Sequence, residues 1–300
     1  MSKRSNYSDQ FLTTALPVLE ELVYDEYLSY PDLVPKLFNV MGSNRWGEQT
    51  STMAGLKPLV LKNEGENSAV DDPIQGYDKT YTHATYALVC GFSEETVEDE
   101  EMGMVQKTYR SLGLSAYQTR QVVAANMFNN GFAVDTGPDG DYLYSTTHTM
   151  IGGHNYANRP STDIALSVGG LREMEVSMAK QVNHRNINIM IMPGTVWCPP
   201  DLMQTAEELI GSPDRPDTDH RAINTFYKRK YTLVVSPFLT SVSAWGAVAP
   251  VGQTENRFYE RVAPTTRSWE DESSGDVNTR MRFRFSVGYS DFIGNWGTTG

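Results

Sequence analysis

Apolar residues recur along this chain at spacings that change with position, and one stretch nearly lacks them. Near the start, Leu16, Leu19, Leu22, Val23 and Tyr27 return every three or four residues, which is the stripe of one helix face; Pro31 and Pro35 stop that helix. From Gly42 to Lys79 the pattern dissolves. Trp46, Met53, the run Leu56, Leu59, Val60 and Leu61, then Val70, Ile74 and Tyr77 stand alone among Gly, Asn, Asp, Glu and Ser. A structureless stretch beyond roughly 15 residues marks a functional arm or disorder. Too polar to fold by itself, this segment stays ordered only by lying on something else, and a neighbouring copy of the chain is the nearest candidate.

Thr80–Cys90, rich in Tyr, Thr, Ala and Val, reads as a strand. Phe92-Ser93-Glu94-Glu95-Thr96-Val97 then starts a helix. Ser93 caps it, Phe92 and Val97 form a hydrophobic staple, and Glu94, Glu95 and Glu98 face the positive end of the dipole. Its apolar stripe continues through Val105, Tyr109, Leu112, Ala116, Val123 and Met127 towards Asn130. A bend or break is expected at Gly113, with Ser115 and Gln118 offering a second capping box.

Gly137-Pro138-Asp139-Gly140 is a turn signal, and Ser167 opens a helix with Leu171, Met174 and Met178 on one face. Ile187–Met192 reads as a strand, and Pro199-Pro200 to Gly211 as a helix with a proline start and a glycine stop. Tyr231–Val235 and Ala244–Ala249 read as strands of one sheet. In Arg280-Met281-Arg282-Phe283-Arg284-Phe285 the alternation is strict, so three arginines share one face. The pattern is that of a mixed α+β chain with two long projecting segments.

Composition narrows the class. Three hundred residues, 39% hydrophobic and 21% charged, fit one large or two modest lobes. No apolar run approaches the ~20 residues of a membrane span, and MSKRSNYSDQ has no apolar core of a secretory signal. A net charge of −12 argues against tight nonspecific binding to nucleic acid, although not against enclosing it. Cys90 and Cys198 have no metal spacing and read as free thiols in a reducing compartment.

Candidate chemistry is sparse. His148 and His154 lie beside Asp139 and Asp141, but their spacing matches neither one helix face nor a metal-ligand motif, so a structural role is favoured over a metal-dependent hydrolase. The acidic cluster Glu94–Glu101 reads as a solvated or salt-bridged first turn, and Lys228-Arg229-Lys230 as a rim or subunit contact. The face of Arg280, Arg282 and Arg284 suits nucleic acid or pairing with the acidic helix start, and the excess of carboxylates favours pairing. Gly152-Gly153 and Gly169-Gly170 lack a phosphate-loop context, and no G-x-S-x-G occurs. No catalytic set, cofactor site or metal site emerges.

Several blocks, taken in order, resemble the major head subunits of Mu-like tailed phages. They include Glu26-Tyr27-Leu28-Ser29-Tyr30-Pro31 with Lys36-Leu37-Phe38, Leu61-Lys62-Asn63-Glu64-Gly65, and Tyr81 to Leu88. Gly91 to Asp99, Asn129-Asn130-Gly131-Phe132 and Asp139 to His148 continue the likeness, as do Ala165-Leu166-Ser167, Met192 to Leu202 and Ser236 to Trp245. The likeness covers most of the chain and weakens after Gly252; the ending Asp291-Phe292-Ile293-Gly294-Asn295-Trp296 departs from the family's Trp- and Arg-rich end.

The resemblance implies the Hong Kong 97-type capsid fold. On this chain it places an N-terminal arm at 1–40, an extended loop at 41–80, a peripheral domain with a long spine helix at 81–186 and 268–300, and an axial domain at 187–267. It implies a structural major capsid protein, forming pentamers and hexamers of an icosahedral phage head that encloses double-stranded DNA. Portal and possible scaffolding or decoration proteins are the implied partners, with no membrane and no cofactor, in a virion assembled in the host bacterial cytoplasm. A nanocompartment shell shares the fold and is the alternative. Trp46, Leu56, Leu59 and Leu61 are the candidate interface anchors, with Lys57, Glu94, Arg282 and Arg284 as candidate charged contacts. Lys57 and Lys62 lie in the arm that is covalently cross-linked in some members of the fold, but no partner residue is identified here.

Overall fold

The computed structural model describes residues 16–93, 95–96, 102–213, 223–271 and 273–300. Helix α1 (Leu16–Ser29) buries Leu16, Leu19 and Val23, the stripe expected from the spacing. Asp32 accepts a hydrogen bond from the Val34 amide and opens the single turn α2 (Val34–Leu37), where Pro35 sits at the tolerated start. Strand β1 (Asn39–Gly42) follows. A hairpin of β2 (Gly47–Ala54) and β3 (Ile74–Thr82) comes next, then β4 (Ala84–Phe92). The expected single strand Thr80–Cys90 is therefore two strands, broken at His83 and belonging to two different sheets.

Helix α3 (Met102–Asn129) is the spine of the first lobe, 28 residues long, or about 42 Å at roughly 1.5 Å per residue. Ser93 Oγ accepts the Thr96 amide at 3.3 Å, the expected cap; Glu94, Val97 and Glu98 lie outside the described residues. Val105, Tyr109, Leu112, Ala116 and Met127 are buried in one core, as the stripe requires. The expected break at Gly113 does not occur. A methyl group there would collide with the Val23 carbonyl oxygen, so glycine serves the close crossing of α1 over α3 and the helix continues through it. Ser115 consequently lies mid-helix, its carbonyl accepting from Thr119 Oγ1 at 2.8 Å, and caps nothing.

After the turn at Gly137–Gly140 come the short pair β5 (His148–Thr149) and β6 (Asn155–Tyr156), then α4 (Val168–Ala179). Ser167 Oγ accepts the Gly170 amide at 3.1 Å, and Leu171, Met174 and Met178 are buried together. Ile187–Met192 is not a strand. Asn186 and Met190 take left-handed backbone angles (φ 61° and 51°), and Asn183 Oδ1 takes the Ile187 amide at 3.0 Å, so no ladder forms. The strand comes just after it, as β7 (Thr195–Cys198), with all four residues buried. Then follow α5 (Met203–Gly211), α6 (Thr225–Arg229), β8 (Thr232–Val235), β9 (Trp245–Val248), β10 (Asn256–Glu270), β11 (Val277–Tyr289) and β12 (Asn295–Thr298).

Two four-stranded sheets organise these elements. The first has the order β1-β10-β11-β4 and packs Phe258, Met281, Phe283 and Phe285 into the core that contains α1 and α3. The second has the order β12-β9-β7-β8 and carries Trp245 and Trp296, whose rings lie 5.1 Å apart, into a core with α4, α5 and α6. The expected partition at residue 267/268 cuts through this architecture. Asn256–Glu270 pairs along its length with Val277–Tyr289, and the terminal strand β12 pairs with β9 of the other sheet. Pairing across sequence, invisible to local periodicity, decides both. Among the described residues, no helix is long and apolar enough to cross a membrane.

Candidate assembly interface

The segment that cannot fold alone is a braced hairpin with a naked tip. β2 and β3 pair antiparallel from Gly47↔Thr82 to Ala54↔Ile74. Beyond them, residues 55–73 form no helix or strand, and residues 55–70 are exposed throughout. Leu59 is fully solvent-exposed and Leu61 is 88% exposed, with Leu56, Val60 and Val70 also in water. Trp46, at the hairpin's other end, is 72% exposed. Burying one such side chain contributes about 1.5–3 kcal/mol, and apolar groups clustered on a projecting loop mark an interaction surface. All four expected anchors are thus free of the body of the subunit.

The stem, in contrast, is fastened tightly. Thr50 Oγ1 and Tyr81 Oη lie 2.7 and 2.6 Å from Ser290 Oγ, and Thr52 Oγ1 donates to the Ser290 carbonyl at 3.1 Å. Tyr77 Oη donates to the Thr149 carbonyl at 2.7 Å. At the neck of the tip, Arg185 donates from Nε to the Gly55 carbonyl (3.1 Å) and from Nη2 to the Asp72 carbonyl (2.6 Å), closing the loop like a clasp. Asp71 completes it, 3.6 Å from Arg185 Nη2 and 3.8 Å from Lys57 Nζ. The Lys57 amide donates to Asp71 at 2.9 Å and, with the charges of Arg185 and Lys57 adding, holds that carboxyl below its ordinary pKa. Lys57 is therefore engaged within its own chain. Nothing in the local sequence singles out Arg185 or Ser290: both lie far along the chain from the hairpin that they hold.

The charged candidates separate. Glu94 lies outside the described residues. Arg282 and Arg284 stand on the outer face of β11, away from the core. Arg284 Nε donates to the His83 carbonyl at 3.3 Å, and among the described residues neither arginine makes an ion pair; the acidic helix start expected to pair with them lies almost wholly outside the described residues. In the other lobe, Arg229 Nε lies 3.3 Å from Glu175.

The sequence neighbours Asp139, Asp141 and His148 do converge, with one ligand atom from each within 4.8 Å of the others, whereas His154 stays apart. His148 is fully buried and stacks on Phe292 at 3.7 Å. Its Nδ1 lies 2.6 Å from Asp139 Oδ2 and its Nε2 3.1 Å from Asn158 Oδ1. Asp139 Oδ1 in turn accepts the Asp141 amide at 3.3 Å. Both ring nitrogens and both Asp139 oxygens are engaged within the chain, an arrangement that fits a structural staple. It pins the turn at 137–141 to the segment leading into β12.

The family model for phage capsid protein matches residues 76–295. A search of curated proteins finds no match. Among solved structures, the procapsid of bacteriophage JBD30 is similar over 96% of this chain and 75% of its own, with 13% identity and a TM-score of 0.53. The capsid of Myoviridae phage XM1 is similar over 90% and 96%, with 10% identity and a TM-score of 0.50. The SrpI encapsulin complex from Synechococcus elongatus gives 88% and 85%, 9% identity and 0.52. These structural likenesses establish the Hong Kong 97-type α+β capsid fold. The match over residues 76–295 goes further, and by it the chain belongs to the phage capsid protein family.

Proposed function

We propose that this chain is the repeating shell subunit of a tailed-phage head, assembling into pentamers and hexamers that close around double-stranded DNA. The role is mechanical rather than catalytic. The observation that carries the reading is the clasped hairpin: its stem is fixed to the body through Ser290, Tyr77 and Arg185, while Leu56, Leu59 and Leu61 are held out in water. A rigid mount lowers the entropy lost when the tip docks on a neighbour. Closed symmetry then makes each later contact effectively intramolecular, so modest contacts sum to a stable container.

Within this reading, residues 41–80 are the extended loop, while of the expected arm at 1–40 the elements α1 and α2 bury Leu16, Leu19, Val23, Val34 and Leu37 in the first core and so belong to the body. The first sheet with α1 and α3 supplies the peripheral body, and the second sheet with α4 to α6 supplies the axial lobe around the capsomer centre. Portal, scaffolding and decoration proteins are the expected partners, and assembly takes place in the host cytoplasm. The net charge of −12 suits a wall along which a packaged duplex slides without being gripped.

Electron microscopy of the expressed chain, alone and with any co-encoded scaffold, tests the reading. Closed shells of uniform diameter are expected, and phage particles should carry this chain around nuclease-protected DNA. A persistent monomer under every condition would refute it. Shells that hold a protein cargo and no DNA would assign the chain to a nanocompartment instead.

A further inference from the structure

Strand β4 carries an open edge that its composition does nothing to protect. It ends the order β1-β10-β11-β4, and its register with β11 runs unbroken from Val277↔Phe92 to Phe285↔Ala84. Among the described residues, nothing hydrogen-bonds to its outward N–H and C=O groups. Exposed edges are usually blunted by a lysine, a proline or a bulge; Ala84–Phe92 has none of these and no charged side chain. Along the Thr85–Leu88 half, a groove of about 340 Å³ opens between this edge and α3, lined by Tyr86, Leu88, Leu112, Ala116 and Phe283. Leu88 is 52% exposed there. Residues outside the description join the chain elsewhere. Those at 97–101 adjoin the Phe92 end, where Tyr109 of α3 stacks on Phe92 at 5.9 Å. Those before Leu16 adjoin α1, which Tyr24 and Glu20 hold to β10, across β11 from β4.

The loop tip has the matching deficit. From Pro58 to Lys62 the main chain makes no hydrogen bond among the described residues, and Leu59, Val60 and Leu61 are exposed. Paired as a strand, this run puts Leu59 and Leu61 on one face. Both also turn their N–H and C=O groups to one edge, which leaves Pro58, without an N–H, facing the other. The two features cannot meet within one chain. Thr52 of the stem bonds to Ser290 beyond the end of β11, whereas β4 runs back along β11 from Ala84 to Phe92. The stem carries its far end about 25 Å from β4 at roughly 3.3 Å per residue. The five residues from Ala54 to Leu59 can return only about 17 Å of that. We propose that Leu59–Leu61 of one copy adds as a strand to the Thr85–Leu88 edge of a second copy, with Leu59 and Leu61 seated in the groove against α3. The inference rests on the shell reading and names the surface that receives the loop tip. Main-chain bonds supply the affinity, and the two leucines set the register. Donor and acceptor occupy different places on the subunit, so the contact is head-to-tail and passes from copy to copy until a ring closes.

Hydrogen exchange on the assembled against the dissociated full chain reads the contact directly. Assembly should slow exchange at least tenfold at both Thr85–Leu88 and Leu59–Leu61. Protection of the tip without the edge overturns the proposal by placing the receiving surface elsewhere. Protection of the edge without the tip overturns it by giving the edge to another segment. Variants supply a second test, read by light scattering. L59E/L61E, changed only where side chains lie in water, should keep its unfolding midpoint and lose self-association at least tenfold. L88K should lose it equally, and L88T, milder for folding, should give an intermediate loss. Mixed one to one, L59E/L61E and L88K should associate more strongly than either alone, because the intact tip of one meets the intact edge of the other. Wild-type-like association of both variants, or no recovery on mixing, overturns the proposal. Closed shells in which Thr85–Leu88 exchanges as freely as in the dissociated chain also overturn it and leave the shell reading intact. Oligomers that never close, yet protect both segments, support the contact while the shell reading fails. A persistent monomer refutes both.

Discussion

Gly113, in the middle of the 28-residue spine helix, lies against the carbonyl oxygen of Val23 where α1 crosses it. The contact explains why a poor helix former occupies a position where alanine would raise helix propensity by about 1 kcal/mol. In G113A that gain is opposed by overpacking. The new methyl would meet main chain, not a flexible side-chain end, and inserted atoms in a packed contact cost about 1–3 kcal/mol. G113A should therefore unfold at lower denaturant concentration than the wild type while keeping its helix content. A variant more stable than the wild type would show that the two helices have room to separate.

The tip residues make the opposite kind of prediction. Leu59 and Leu61 touch almost nothing in their own subunit, so L59A/L61A should leave the unfolding midpoint within about 0.5 kcal/mol of the wild type, as surface substitutions usually do. Shell formation should fall sharply, because the loss is repeated at every subunit contact. W46A should behave likewise, since Trp46 is also largely in water. Sedimentation of assembled against unassembled protein reads the effect; unaltered shell yield would place the interface elsewhere.

Arg185 offers a test of the mount itself. R185A removes both carbonyl contacts at the neck of the loop, and hydrogen bonds to a charged group are worth about 1.5–3 kcal/mol each. Because Gly55 and Asp72 flank the exposed segment, hydrogen exchange should accelerate over residues 55–73 and leave α3 and β11 protected as before. R185K restores a charge near Asp71 but reaches only one carbonyl at a time, so it should recover part of the protection. Uniform acceleration across the chain would mean that Arg185 supports the whole lobe rather than the loop.

Local chemistry made some of this fold readable and geometry hid the rest. The stripe of α1, the cap at Ser167 and the alternation of β11 are each encoded within one element and appear where the pattern places them. The continuity of α3 through Gly113 depends on a crossing helix, and periodicity carries no trace of that crossing. Ile187–Met192 shows the limit of a short apolar run: it looks like a strand, yet left-handed turns at Asn186 and Met190 prevent the extended conformation. The exposure of Leu56, Leu59 and Leu61 was legible from their place as apolar residues in a polar setting. The clasp at the neck of the loop was not, because Arg185 lies 130 positions from the Gly55 carbonyl that it holds.

His83, at the break between β3 and β4, makes stability depend on pH. Its ring nitrogens lie 3.0 Å from Ser286 Oγ and 3.1 Å from Ser43 Oγ. Burial foremost, then the charges of Arg284 and Arg261 against the opposing Glu48, hold its pKa below the usual 6.5. The unfolded chain therefore takes up a proton at this residue before the folded chain does. The resulting stability is fully present above about pH 6.5 and is lost as pH falls through the lower folded value. H83Q keeps hydrogen-bonding groups at the site and cannot titrate. Its unfolding midpoint should fall less than that of the wild type between about pH 7 and about pH 5, with the two curves diverging as acid is added. Parallel curves would remove His83 as a source of acid sensitivity and leave the carboxylates to account for it.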